Sequence, residues 1–210
     1  CTIRISKACL YYIQQHGTQT EHGGMDMKKT STFKLVITAL FAALICVATM
    51  LIQIPIPATG GYANLGDGII LICAFLLPPA YAVTAAGLGS AIYDMLNPLY
   101  ISEAWITFLT KGIYGLFPGL VMLLWKNHWG VIKAGIAASA GAVAYAAAYL
   151  AKTYYWSGIF KQGLAPEAAM LTVISKIPAT VFNAAVAIIF APILAVAIRK
   201  ALVRDHLSLN

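Results

Sequence analysis

Two lysines lie in stretches of the chain that are otherwise almost wholly apolar. Lys111 lies in Ile106–Trp125, and Lys176 lies in Ala168–Ile198. A charge inside a lipid-spanning helix costs about 2.5–3.5 kcal/mol on insertion scales, so such a residue usually faces an interior cavity or a charged partner. The two lysines therefore predict a functional site, in which a fixed positive charge can orient a bound molecule.

Polar and aromatic residues recur around both lysines at helical spacing. Residues at i, i+3, i+4 and i+7 share one face of a helix. The three candidate stripes are Thr107–Lys111–Tyr114, Thr172–Lys176–Thr180–Asn183 and Tyr145–Tyr149–Lys152–Trp156. Rings that can stack, hydrogen-bond donors and one or two charges suit a small, partly aromatic ligand in a water-accessible pocket.

The same residues also have structural interpretations, which the sequence leaves open. Lys111 could form an intramembrane ion pair with Asp94 or Asp67, and Lys152 could extend its amine to the membrane boundary. Packing, interfacial positions or contacts between helices could account for the other polar residues, namely Tyr145, Tyr149 and Asn183.

The elements that must position these residues are membrane-spanning helices. Of the 210 residues, 60% are hydrophobic and only 10% are charged, whereas a soluble domain carries about 25% charged residues. The mean hydropathy is +0.80. We predict an all-α integral membrane protein, a compact bundle of six transmembrane helices. Their predicted ranges are Phe33–Gln53, Asp67–Leu77, Ala80–Leu96, Ala104–Trp125, Val131–Trp156 and Ala168–Arg199.

The distribution of basic residues predicts the orientation. With six spans, both termini lie on one side, and that side collects most lysines and arginines of the tails and of one short loop. The positive-inside rule then predicts that both termini are cytoplasmic. The net charge of +7 does not indicate nucleic-acid binding, because the bases do not cluster with aromatic residues on one polar face.

The first 26 residues differ from the rest. They are polar, and the run Met27-Lys28-Lys29 before an apolar helix is typical of a natural start. We therefore predict that residues 1–26 are a non-native or disordered extension and that residues 27–210 form the membrane domain.

The sequence carries no motif of an enzyme or a metal site. HExxH, GxSxG and Walker A patterns are absent, so the chain has no loop of its own for ATP hydrolysis. We predict no catalytic residue, no metal ligand and no cofactor. A membrane enzyme that uses the lysines as base or Schiff-base former lacks a supporting constellation.

Three segments together resemble the S components of energy-coupling factor (ECF) vitamin transporters. They are Tyr62–Gly68 with its Asn-Leu-Gly-Asp run, the glycine-rich stretch Ala86–Ala91 that leads to Asp94, and Phe108–Gly115 with Lys-Gly-Ile-Tyr-Gly. The similarity runs in order from about Met27 to Arg204. It is closest to the branch with riboflavin-type, hydroxymethylpyrimidine, pyridoxine and pantothenate members.

The resemblance implies six helices in a bacterial cytoplasmic membrane and an outward-facing pocket for one vitamin. It also implies a lid in the loop after the first helix, here about Pro55–Gly66, and three partner subunits: a transmembrane coupling subunit and two cytosolic ATPases. A small-xxx-small surface on the first helix, matched by Ala39 and Ala43, would dock on the coupling subunit. The ligand-binding residues expected here are Asn64, Asp67, Asp94, Lys111, Tyr114, Tyr145, Tyr149, Lys176 and Asn183.

We therefore expect high-affinity binding and uptake of a small water-soluble vitamin or precursor of the hydroxymethylpyrimidine, pyridoxine or pantothenate class. Two pocket lysines favour a ligand with an anionic or electron-rich acceptor, unless an acid neutralises them. The alternative is a stand-alone proton-coupled secondary transporter of a small polar metabolite, with Lys111, Asp94 and Asp67 as its proton relay.

Overall fold

Six α-helices and one short β-hairpin make up the part of the chain that the computed structural model describes, residues 19–51, 53–56, 61–125 and 130–204. A 3₁₀ turn, Ile101–Glu103, precedes the fourth helix, and a π-helical segment, Thr153–Lys161, follows the fifth. The elements in chain order are α1 (Gln19–Leu51), β1 (Gln53–Ile56), β2 (Gly61–Asn64), α2 (Gly66–Leu76), α3 (Pro79–Leu96), α4 (Ala104–Leu124), α5 (Val131–Lys152) and α6 (Pro166–Arg204).

The chain divides into two units, Cys1–Ile37 and Thr38–Asn210. The described part of the first is the beginning of α1, and the second holds the remaining elements. Of the predicted extension 1–26, residues 1–18 lie outside the described residues, and residues 19–26 are helical. That these residues are foreign to the membrane domain stays a prediction.

Four helical segments of the described residues are long and apolar enough to cross a membrane. They are Thr32–Leu51, Ile101–Leu124, Val131–Lys161 and Pro166–Ala201. The helix α2 is apolar but has only 11 residues, fewer than the roughly 17–25 of an ordinary span. The chain is therefore a multi-pass, predominantly helical membrane protein, whereas the count of six spans and the side of the termini stay predictions.

The end of the first predicted span was wrong by two residues, and the loop after it contains strands. The helix α1 ends at Leu51, and β1 pairs antiparallel with β2, with Gln53 opposite Asn64 and Ile56 opposite Gly61. Proline disfavours the helical conformation at the residue before it, so Pro55 favours an extended chain here. The hairpin lies at the place predicted for a lid, but its tip, residues 57–60, lies outside the described residues.

The fifth predicted span continues beyond its predicted end and changes its hydrogen bonding on the way. The α-helix α5 stops at Lys152, and the chain then winds as a π-helix through Lys161. Gly163, with a φ of 62°, follows in the left-handed region, which glycine adopts without a steric penalty. Hydrophobic periodicity does not distinguish an α-helix from this rare, wider helix.

Small residues let the helices around the site approach closely. A Cβ atom added to Gly89 of α3 would lie 2.5 Å from the carbonyl oxygen of Ala42 in α1. One added to Gly115 of α4 would lie 2.9 Å from the carbonyl oxygen of Ala82 in α3. In lipid, helix association depends on such close packing rather than on a hydrophobic driving force. The apolar core next to these contacts includes Ile45, Ile70, Phe75 and Tyr114.

Candidate ligand-binding cavity

A cavity of about 330 Å³ lies among the helices of the second unit. Side chains from α1, the end of β2, α2, α3, α4, α5, the π-helical segment and α6 line it. Eight of the nine residues predicted to bind a ligand lie in its wall, namely Asn64, Asp67, Asp94, Lys111, Tyr145, Tyr149, Lys176 and Asn183. The structure thus brings together residues that are up to 119 positions apart, from Asn64 to Asn183.

The ninth predicted residue, Tyr114, lies behind the wall. It is 1% exposed, and its ring stacks on that of Tyr145, with the centroids 4.7 Å apart and the planes 17° from parallel. Tyr145 in turn lies 5.8 Å from the ring of Tyr149. Tyr114 therefore supports the aromatic wall instead of lining the cavity.

Lys111 forms an ion pair with Asp67, one of the two acids that the sequence offered as its partner. The lysine side chain is 12% exposed and that of the aspartate 5%. The ammonium nitrogen also lies 4.2 Å from the centroid of Tyr145, within the range of a cation–π interaction. Asn64 Oδ1 accepts a hydrogen bond of 3.1 Å from the backbone N–H of Asp67. A chain of polar contacts therefore joins the end of the hairpin to α2, α4 and α5.

A second cluster of charges, which the sequence did not assign to the site, surrounds Glu103. Its carboxylate lies 2.6 Å from the Nζ of Lys152 and 3.0 Å from that of Lys161. The Ser157 hydroxyl donates a hydrogen bond of 3.5 Å to the same carboxylate. The amine of Lys152 therefore forms an ion pair with Glu103 in the cavity wall. The position of Glu103 directly before α4 and the stripe that includes Lys152 are the signals that could have indicated this pair.

The third acid of the wall is Asp94, near the end of α3, which is buried at 7% exposure. The hydroxyl of Thr107 in α4 hydrogen bonds to its carboxylate. Among the described residues, the ion pairs of the cavity engage Asp67 and Glu103 but not Asp94.

The face of α6 contributes two functional groups of the predicted stripe, the amine of Lys176 and the amide of Asn183. Two threonines of that face turn their hydroxyls to their own helix. Thr172 donates to the carbonyl of Ala168 at 3.1 Å, and Thr180 donates to that of Lys176 at 2.9 Å. A ligand therefore meets mainly the amine and the amide on this side.

The charges of the wall nearly cancel. Four lysines and three carboxylates line the cavity, one positive charge in excess. Tyr93 and Tyr100 add phenol groups at the α3 end. Burial, together with the nearby Tyr93, Asp94 and Glu103, raises the pKa of Tyr100, so its phenol remains a neutral donor at physiological pH. Within the part of the chain that the structure describes, no group of His, Cys, Asp and Glu side chains is arranged to hold a metal ion.

A protein of Pyrococcus woesei described as "Uncharacterized protein in gap 3'region" is similar to part of this chain. The two are 43% identical over 75 residues, which cover 36% of this chain and 49% of that protein. This chain thus spans about half the length of the curated relative that it matches.

A family comparison covers far more of the sequence. Residues 29–200 match the family described as "ECF-type riboflavin transporter, S component". The matched range includes all of α2 to α5, most of α1 and α6, and every residue of the cavity wall. Because this match spans most of its length, the chain belongs to the family of ECF-type riboflavin transporter S components.

Proposed function

We propose that the protein binds a small water-soluble vitamin or vitamin precursor and serves as the substrate-binding S component of an ECF-type transporter. The observation that carries the proposal is the cavity inside the helical unit, which combines stacked tyrosines with hydrogen-bonding groups and balanced charges. Polar side chains in mostly apolar helices cost free energy in lipid, so a cluster of this size favours a water-accessible ligand site. Membership of the family supports the same function.

The partners in this proposal are a transmembrane coupling subunit and two cytosolic ATPases, in a cytoplasmic membrane that the chain crosses six times with both termini inside. ATP hydrolysis belongs to the ATPase subunits, so this chain is not itself an enzyme. Ala39 and Ala43 support the docking of the coupling subunit on α1, because both are exposed and lie beside exposed Leu40 and Leu44. A small-residue strip of this kind admits close approach of a partner helix.

The cavity supports a ligand smaller than an ordinary drug. Its volume of about 330 Å³ lies at the low end of the roughly 300–1,000 Å³ typical of ligand pockets. The paired lysines Lys111 and Lys152 lessen the expected attraction for an anion, because acids already neutralise them. Hydroxymethylpyrimidine and pyridoxine fit this description better than pantothenate, and riboflavin, which the family description names, belongs in the same test.

We expect Lys176→Ala to weaken vitamin binding by at least about tenfold, because the lysine supplies a charge-assisted hydrogen bond from α6. Isothermal titration calorimetry on the purified chain in detergent, with each of the four vitamins, measures this. Gly135→Ala is the matched control, since nothing lies within 4 Å of its added Cβ atom and it does not line the cavity. If Lys176→Ala binds every vitamin as tightly as the wild type, the site assignment is wrong.

A double substitution on α1, Ala39→Leu with Ala43→Leu, tests the proposed docking. Larger side chains at exposed positions should leave ligand affinity unchanged but block close approach of the coupling subunit, so uptake into cells that express all subunits falls sharply. Radiolabelled vitamin uptake is the readout, and binding by the purified variant is the control. Uptake by the chain alone into proteoliposomes under a pH gradient would instead support the stand-alone secondary transporter.

A further inference from the structure

The three carboxylates of the cavity wall differ in their ion-pair and hydrogen-bond partners. Asp67 pairs with Lys111, and Glu103 pairs with both Lys152 and Lys161. Asp94 is also buried, but a threonine hydroxyl is its hydrogen-bond partner, and no lysine of the described residues forms an ion pair with it. Asp94 therefore keeps unused capacity to accept hydrogen bonds on the cavity side.

A carboxylate such as that of Asp94 can accept several hydrogen bonds. An ionised carboxylate offers about four lone-pair sites, and burying one with few partners costs free energy that a well-placed donor recovers. Burial disfavours the ionised form of Asp94, whereas the Thr107 hydroxyl and the nearby Lys152 and Lys111 favour it. The amines of both lysines are engaged by the other two acids, so a hydrogen-bond donor on a ligand would stabilise the ionised form further.

The side chains around Asp94 favour a ligand with a flat ring. The rings of Tyr145 and Tyr149 line the same cavity, and Tyr145 lies close enough for the charge of Asp94 to act on it. A flat ring stacked on these tyrosines would lie in the same cavity as Asp94, so its edge can meet the carboxylate. An anionic group at that edge would meet a carboxylate and be repelled.

We propose, on the basis of the function proposed above, that Asp94 selects a heteroaromatic ligand with an N–H donor at its ring edge. An amino group, a protonated ring nitrogen or an imide N–H each supplies such a donor, whereas the acyclic carboxylate pantothenate does not. Asp94 is then a specificity-determining residue of the site, and hydroxymethylpyrimidine, pyridoxine and riboflavin are favoured over pantothenate.

The experiment compares wild type with Asp94→Asn by isothermal titration calorimetry on the full chain in detergent. The probes are pantothenate and the three ring vitamins, each ring vitamin beside an analogue without its nitrogen donor. These analogues are the desamino pyrimidine, the carbocyclic pyridoxine and the imide N-methyl flavin. Removing the donor from the best ligand should weaken wild-type binding by about 10- to 100-fold, the range of a hydrogen bond to a charged group.

The substitution and the analogue should not act additively, because the analogue lacks the hydrogen bond that the charge of Asp94 strengthens. Asp94→Asn should bind the parent vitamin about tenfold more weakly and should distinguish it from the analogue by a smaller factor than the wild type does. If Asp94→Asn does not fold, as judged by gel filtration and circular dichroism, the analogue comparison on the wild type decides. Equal wild-type affinity for the best ring vitamin and its analogue overturns the proposal.

Two further outcomes separate this proposal from the function on which it rests. If pantothenate is the tightest ligand of the wild type, the role of Asp94 is wrong but the vitamin-binding function stands. If the folded wild type binds none of the four vitamins, both proposals are overturned.

Discussion

Asp67→Asn should destabilise the protein more than the double substitution Asp67→Asn with Lys111→Met. The single change leaves the ammonium of Lys111, which is only 12% exposed, without its anion. Removing one partner of a buried ion pair costs about 3–5 kcal/mol, whereas replacing both partners by uncharged groups is often close to neutral. Equilibrium unfolding in mixed micelles, followed by tryptophan fluorescence, gives the free energies.

Lys200→Met is the matched control for this cycle, because it removes a lysine that lies exposed near the end of α6. Its effect should stay within about 0.5 kcal/mol, as for most surface substitutions. Additive effects of Asp67→Asn and Lys111→Met would show that the two charges do not stabilise each other. The ion pair would then contribute nothing to the stability of the fold.

Glu103→Gln should have the second largest effect on stability, with a local consequence in the π-helical segment. The carboxylate of Glu103 contacts Lys152 just before this segment, Ser157 in its middle and Lys161 at its end. Loss of this carboxylate leaves the Lys152 side chain, which is 10% exposed, without an anion. The free energy of unfolding should fall by about 3 kcal/mol as a result. Faster amide hydrogen exchange in residues 153–161, measured by mass spectrometry, should accompany the loss of stability.

The two lysines of this cluster provide an internal comparison. Lys152→Met should destabilise the protein clearly, whereas Lys161→Met should cost less than about 1 kcal/mol, because the Lys161 side chain is 37% exposed and water screens its ion pair. The opposite order, with Lys161→Met the more harmful, would contradict the assignment of Lys152 as the buried partner.

The apolar segments predicted the helices well because membrane helices must satisfy their own backbone hydrogen bonds over a fixed length. The prediction failed where local chemistry is ambiguous. A pair of short strands occupies the chain after Leu51, and a π-helix replaces the last turn of the fifth predicted span and continues it to Lys161.

Nine of the eleven residues of the helical stripes lie in the cavity wall, because a polar or charged side chain costs free energy in lipid and therefore faces inward. Tyr114 shares the face of Lys111 but lies behind Tyr145, since a shared face does not fix the depth of a side chain. Glu103 was missed as a site residue because its partners, Lys152 and Lys161, are 49 and 58 positions away.

By itself, the sequence determined that this is a helical membrane protein, which helix faces are polar, and which two lysines are anomalous, because composition and periodicity are local properties of the chain. The tertiary structure decided which acid neutralises Lys111, which cluster holds Lys152, and that Asp94 bonds to Thr107 and forms no ion pair with the described lysines. Those outcomes depend on distances between helices far apart in sequence, and electrostatic and hydrogen-bond energies change steeply over a few ångströms.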